Sequence, residues 1–187
     1  QVLGTWEFKL APNDDSILIQ AHYNGLSVLK KENNRWEFSN AVKGFNISTR
    51  FLEWIAPNEI IINHEFQGLT RLVLDENYSG VTNIIDIGRL GYNTCIVKWN
   101  DEIKYITENA VYRYIPDTNR LFVDEDLQPI LFEADNIRNS LVWVDEAQNL
   151  SYFDQRGLRL ISNGLLENEI KYEAFPLTNT IVNNLNL

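Results

Sequence analysis

Asn58-Glu-Ile-Ile-Ile-Asn-His-Glu-Phe-Gln-Gly-Leu-Thr-Arg-Leu-Val-Leu-Asp75 reads as two apolar strands joined by a short polar turn. Side chains of a strand alternate between its two faces, so an antiparallel pairing sets Ile60, Ile62, His64 and Phe66 together on the first strand. The second strand adds either Leu69, Arg71 and Val73 or Thr70, Leu72 and Leu74 to that face, and alternation alone leaves both registers open. Either way, one of the chain's two histidines stands among apolar neighbours in what reads as a core hairpin.

The same texture extends outward from the hairpin. Upstream, Leu3 to Leu10 and Ile17 to Tyr23 alternate as strands around the turn Pro12-Asn-Asp-Asp15. Asn24-Gly25 is a strong type I' hairpin signal, because both central residues of that turn need positive φ. Leu26 to Lys31 returns from it, Asn33-Asn34 turns into Arg35 to Phe38, and Phe45 to Ile55 reads as one long strand. Downstream, strands are expected from Val81 to Ile87 and Tyr92 to Trp99, then through Glu102 to Thr107, Ala110 to Ile115 and Arg120 to Asp124. Pro129 to Ala134, Leu141 to Asp145, Leu150 to Phe153, Gly157 to Ser162 and Ile170 to Phe175 continue the pattern. Only Asp135 to Ser140 and Leu165 to Glu169 offer a helical turn, and neither is long enough for a stable helix of its own.

About fourteen short strands with hairpin turns between them predict an all-β chain. Its 187 residues suit one domain over 1–187, which buries roughly 70% of its unfolded surface without staples. An antiparallel meander closed into a β-barrel removes unpaired edges and is the expected architecture. A β-sandwich or a small propeller is the alternative, the latter hinted at by the recurrence of tryptophan at Trp36, Trp54, Trp99 and Trp143 ahead of acidic turns.

Gly4-Thr5-Trp6 at the start of the first strand resembles the Gly-x-Trp opening of lipocalins. The resemblance implies a calycin barrel whose first-strand tryptophan closes one end beneath a late arginine, a part that falls to Arg159. Nitrobindin-type barrels also begin with Gly-Thr-Trp but hold haem on a late histidine. Both histidines here, His22 and His64, lie early, so haem is not expected and no cofactor is assigned.

Composition narrows the partners. A net charge of -10, from 26 acidic and 16 basic residues, with no basic run longer than Lys30-Lys31, argues against nucleic acid and anionic membrane surfaces. No stretch approaches the roughly 20 apolar residues of a membrane span, so no membrane insertion is expected. With Cys95 alone there is neither an internal disulfide nor a multi-cysteine zinc site, and compartment and oligomeric state are left open.

Among candidate site residues, His64 comes first, as acid, base or ligand anchor, since an imidazole works in each role near neutral pH. His22 lies opposite Ile17, Ile19 and Ala21 and is expected to face solvent, as is Glu53. Arg50 and Arg71 alternate with apolar neighbours and are expected at a rim or in a cavity, where a guanidinium would bind an oxyanion. Trp54, Phe66, Tyr92 and Tyr112 are the aromatic candidates for a cavity wall, and Cys95 reads as a small buried hydrophobe. A barrel of more than eight strands is too wide to be filled by side chains, so the expected function is binding of a hydrophobic small molecule. The second functional reading is a cofactor-independent cyclase or isomerase that folds a flexible polyunsaturated substrate in the same cavity.

Overall fold

The computed structural model describes residues 4–64, 66–91, 94–131, 141–154, 157–162 and 165–171. Within them the strands fall into four antiparallel four-stranded sheets, each in simple chain order. The first holds β1 (Thr5–Ala11), β2 (Asp14–His22), β3 (Gly25–Glu32) and β4 (Arg35–Ala41). The second holds β5 (Phe51–Ala56), β6 (Glu59–His64), β7 (Gly68–Leu74) and β8 (Val81–Gly88). The third holds β9 (Cys95–Trp99), β10 (Glu102–Ile106), β11 (Val111–Ile115) and β12 (Arg120–Val123), followed by the short helix α1 (Leu127–Leu131). The fourth holds β13 (Leu141–Val144), β14 (Leu150–Asp154), β15 (Gly157–Ser162) and β16 (Leu165–Lys171).

The first strands of the four sheets stand side by side, β1 against β5, β5 against β9 and β9 against β13. Sheets arranged in this way are the blades of a four-bladed β-propeller, so the all-β expectation holds and the small propeller replaces the closed barrel. Every sheet keeps two edges, and the blades meet face to face instead of continuing one another's ladders. One isolated parallel bridge, Lys43 with Gly80, ties the first blade's exit to the last strand of the second.

The opening hairpin is β6 and β7. Register pairs Ile60 with Leu72 and Ile62 with Thr70, so Thr70, Leu72 and Leu74 share the face of Ile60 and Ile62. The other face is equally apolar. Ile60, Ile62, Leu72 and Leu74 pack with Ile19, Ala21, Leu26, Val28, Leu52 and Trp54 in a core between the first two blades. Ile61 and Leu69 pack with Ile96, Ile103, Tyr105 and Tyr114 in a second core between the second and third blades. Cys95, Val97, Ile106, Val111, Leu127, Leu150 and Ile161 build the third, between the last two. A run of three isoleucines is therefore buried on both sides because the blade is sandwiched, as in strands covered on both faces generally.

Several local expectations are corrected. The long strand from Phe45 is only Phe51–Ala56, residues 165–169 belong to β16 and not to a helical turn, and α1 occupies the start of the expected Pro129 strand. His22 pairs with Gly25, which makes Tyr23 and Asn24 the turn's central residues, with Gly25 itself at φ +114°. A side chain at Gly25 would meet the Phe45 carbonyl oxygen at 2.6 Å, so close backbone approach selects glycine there. The turns that do carry two positive φ values are Asn33-Asn34 and Asn100-Asp101, whose short polar side chains tolerate that region. The lipocalin resemblance fails with the barrel: Trp6 is 40% exposed and lies against Tyr23 and Arg50. The Arg159 side chain is outside the described residues, as are Tyr92 and residues 135–140.

Candidate functional site

Because β1, β5, β9 and β13 converge, their side chains enclose a cavity of about 620 Å³. Its wall is built from Trp6, Glu7 and Lys9 of β1, Arg50, Phe51 and Glu53 at β5, and Ile96 to Lys98 of β9. Val142, Trp143 and Val144 of β13 complete it, with Asp101 and Gln148 from two turns. It is the propeller's axial channel.

Charge runs across three blades inside it. The Lys9 ammonium donates to Glu53 Oε1 at 2.8 Å and stands 3.3 Å from Glu7 Oε1. The backbone N–H groups of Leu52 and Lys98 donate to Glu7 Oε2 at 2.6 Å and to Glu53 Oε1 at 3.1 Å. These bonds make Glu53 a buried cross-blade acceptor, where alternation had placed it outward. Burial opposes the charge on Lys9, but the two carboxylates outweigh it and hold its ammonium above the usual range.

Burial also dominates at Glu7, and although Lys9 and the Leu52 N–H pull the other way, its carboxyl is pushed up to about 7. The folded value lies above the ordinary 4.5, so the proton is held more tightly in the folded state. The stability contributed by protonated Glu7 is complete below pH 4.5 and is lost as pH rises through about 7. Equilibrium denaturation from pH 4.5 to 8 should therefore show a loss, relative to Glu7→Gln, on the order of 3 kcal/mol. Parallel pH profiles for the two proteins would remove this assignment.

The aromatic part lies alongside. The Arg50 guanidinium stands 5.4 Å from the ring centroids of both Trp6 and Phe51. Trp143, 42% exposed, lines the cavity together with Val142 and Val144, and these two valines also pack against the third core. The rim is fixed by Gln148: its carbonyl accepts the Trp99 indole N–H at 2.8 Å and its side-chain oxygen the Asn100 N–H at 2.9 Å.

Of the candidate site residues among the described ones, Arg50 alone lines this cavity. His64 sits at the tip of the β6–β7 hairpin, where Nδ1 accepts the N–H groups of Phe66 and Gln67 at 3.1 and 3.2 Å, so its imidazole organises a turn. Phe66 is 55% exposed beside it. Arg71 pairs with Glu59 and donates to the Pro116 carbonyl at 2.7 Å and Asn119 Oδ1 at 2.9 Å, clamping the second blade to a turn of the third. Trp54 is in the first core against Tyr78, and Tyr112 packs on Tyr105. His22 is buried instead of solvent-facing; its Nδ1 accepts the Asn24 N–H, which leaves Nε2–H to donate to Ser27 Oγ at 2.9 Å. Burial pushes the Cys95 thiol up to about 12. Glu7, Lys9, Glu53, Lys98 and Trp143 escaped sequence reading because they are brought together only by inter-blade packing. Alternation of Glu7 and Lys9 on one strand was the one local sign. The barrel lumen expected to hold an apolar ligand, or to fold a substrate for a cyclase or isomerase, does not exist.

No known protein family matches the sequence, and no curated protein does. Solved structures do match. The extracellular domain of the putative hybrid two component system BT3049 from B. thetaiotaomicron is similar at 15% identity and a TM-score of 0.56 over 90% of this chain. That of the putative one component system BT4673 from the same organism is similar at 17% identity and a TM-score of 0.54 over 85%. The WD40 β-propeller domain of Doa1 is similar at 15% identity and a TM-score of 0.54 over 86%. The chain spans 22% and 26% of the two extracellular domains and 51% of the Doa1 domain. What it shares with all three is the fold alone, which in the Doa1 domain is that of a β-propeller.

Proposed function

We propose that the chain is a recognition module of a sensor-type propeller, binding a small polar ligand with a ring face in the axial cavity. The observation that carries this reading is the convergence of four first strands on one cavity that sets two half-exposed indoles, Trp6 and Trp143, beside the charged groups Arg50, Glu7, Lys9 and Lys98. Indole faces stack on flat or ring-shaped molecules, while charged groups fix the orientation of polar substituents. The carboxylates are already bonded to Lys9 and to backbone N–H groups, an arrangement suited to a preorganised wall more than to proton transfer. The fold shared with extracellular domains of putative sensory systems supports a sensing role. Tryptophan emission titrated with hexoses, hexuronates and aromatic carboxylates tests it. One class should shift emission saturably, and Trp143→Ala should weaken that class about tenfold or more, the equivalent of roughly 1.4 kcal/mol. No response from any class, or a response that Trp143→Ala leaves intact, would sink the axial site.

A further inference from the structure

Glu7 and Lys9 stand side by side on the wall of the axial cavity, and Glu53 is set deeper behind them. The side chains of Lys9 and Glu7 are 31% and 24% exposed, against 8% for Glu53. Two carboxylates therefore share one ammonium, and of the three groups the ammonium and the Glu7 carboxyl are the ones open to a ligand. The other charged groups lining the cavity among the described residues are Arg50 at β5, Lys98 and Asp101 of the third blade and Asp145 of the fourth. An oxyanion placed against Lys9 meets a second negative charge 3.3 Å from that ammonium when Glu7 is ionised, and a hydrogen-bond donor when Glu7 is protonated. Since Glu7 Oε2 already accepts the Leu52 N–H at 2.6 Å, the proton belongs on Oε1, the oxygen beside Lys9.

We infer that the axial cavity takes an acidic ligand, a molecule carrying a carboxylate, and binds it together with one proton on Glu7. This rests on the axial site proposed above and adds to it the charge of the ligand and the pH range in which it is held. The ligand carboxylate accepts from the Lys9 ammonium and from the Glu7 O–H, so the negative charge that ionised Glu7 would set beside Lys9 comes from the ligand instead. The proton is taken from solvent on binding and returned to it on release. Burial, the largest influence on Glu7, pushes its carboxyl up to about 7, so this exchange falls in the neutral range. A bound anion holds that proton more tightly still, and by linkage the proton strengthens binding of the anion by the same factor. An uncharged or cationic ligand draws no such proton in. Neither histidine lines the cavity, and burial keeps the thiol of neighbouring Cys95 protonated throughout this range.

Calorimetric titration with glucuronate and benzoate, each beside its uncharged counterpart, glucose or benzamide, tests it. Both acids are ionised from pH 6 to pH 8, so a change in their affinity over that range reports the protein. With Glu7 titrating at about 7, at least one acid should bind about tenfold more weakly at pH 8 than at pH 6. Heats compared between two buffers of different ionisation enthalpy should give about one proton taken up per ligand bound at pH 8. Glu7→Gln, which keeps a neutral side chain of the same shape, should bind that acid equally at both pH values and without proton uptake. The buffer comparison on wild type decides the matter even where this variant folds poorly. Acid binding without proton uptake, or binding that tightens toward pH 8, would overturn the inference. Binding of the uncharged counterparts alone would overturn it and leave the axial site standing, whereas no binding of any of the four would overturn both.

Discussion

Replacing Lys104 by alanine should destabilise the protein by about 3–5 kcal/mol, the range for an ion pair broken inside a protein. Lys104 on β10 is 4% exposed, an unusual place for an ammonium group. Its Nζ donates to Asp124 Oδ2 at 2.6 Å and Glu102 Oε2 at 2.5 Å and lies 5.7 Å from the Trp99 ring centroid. Asp124 is as deeply placed, at 6% exposure, and its other oxygen accepts the N–H groups of Leu127 and Asp126 at the start of α1. Alanine at 104 therefore leaves a buried carboxylate without its cation and loosens the helix that covers the third core. Urea denaturation of Lys104→Ala, Asp124→Asn and the double variant gives the coupling, and additive losses would show that the pair does not act as a unit. Burial opposes the charge on Asp124, yet Lys104 and the two backbone donors outweigh it and hold the carboxyl below its ordinary 3.8. A lowered folded value contributes stability that is present above pH 3.8 and is lost as pH falls through the folded pKa, so wild type alone should lose this contribution in acid.

Leu69→Ala and Leu72→Ala should each cost about 2–5 kcal/mol, the range for deleting a fully buried leucine side chain. Both residues are 0% exposed, although they lie three apart on one strand and so on opposite faces. Leu72 fills the core between the first and second blades, and Leu69 the core between the second and third. A barrel or a single-faced sheet would make one of the two substitutions expensive and the other nearly neutral. The measurement is the urea midpoint of each variant at constant m-value; a loss confined to one of them would contradict the sandwiched blade.

The hairpin from Asn58 to Asp75 shows how far local pattern reaches. Its two strands, their turn and the antiparallel sense are legible from alternation and from the polar residues between them, because those depend on a residue and its near neighbours. The turns Asn33-Asn34 and Asn100-Asp101 are legible for the same reason, through the positive φ that short polar side chains tolerate. The consecutive burial of Ile60, Ile61 and Ile62 was also on view, as a sign that both faces are covered, but a hydrophobic run does not say by what.

Tertiary structure decided the rest. Arg50 and Arg71 look alike in sequence, each alternating with apolar residues, yet one stands beside Trp6 in the axial cavity and the other is held by Glu59 and a turn of the third blade. Glu7, Lys9 and Glu53 became a single charged row only when β1 met β5. The sequence by itself determined that this chain is β, where most of its strands turn, and which positions along each strand share a face. Which face meets which, and so which residues line the cavity, was decided by the packing of whole sheets. Burial of apolar area is non-directional, whereas alternation names a face without naming its neighbour.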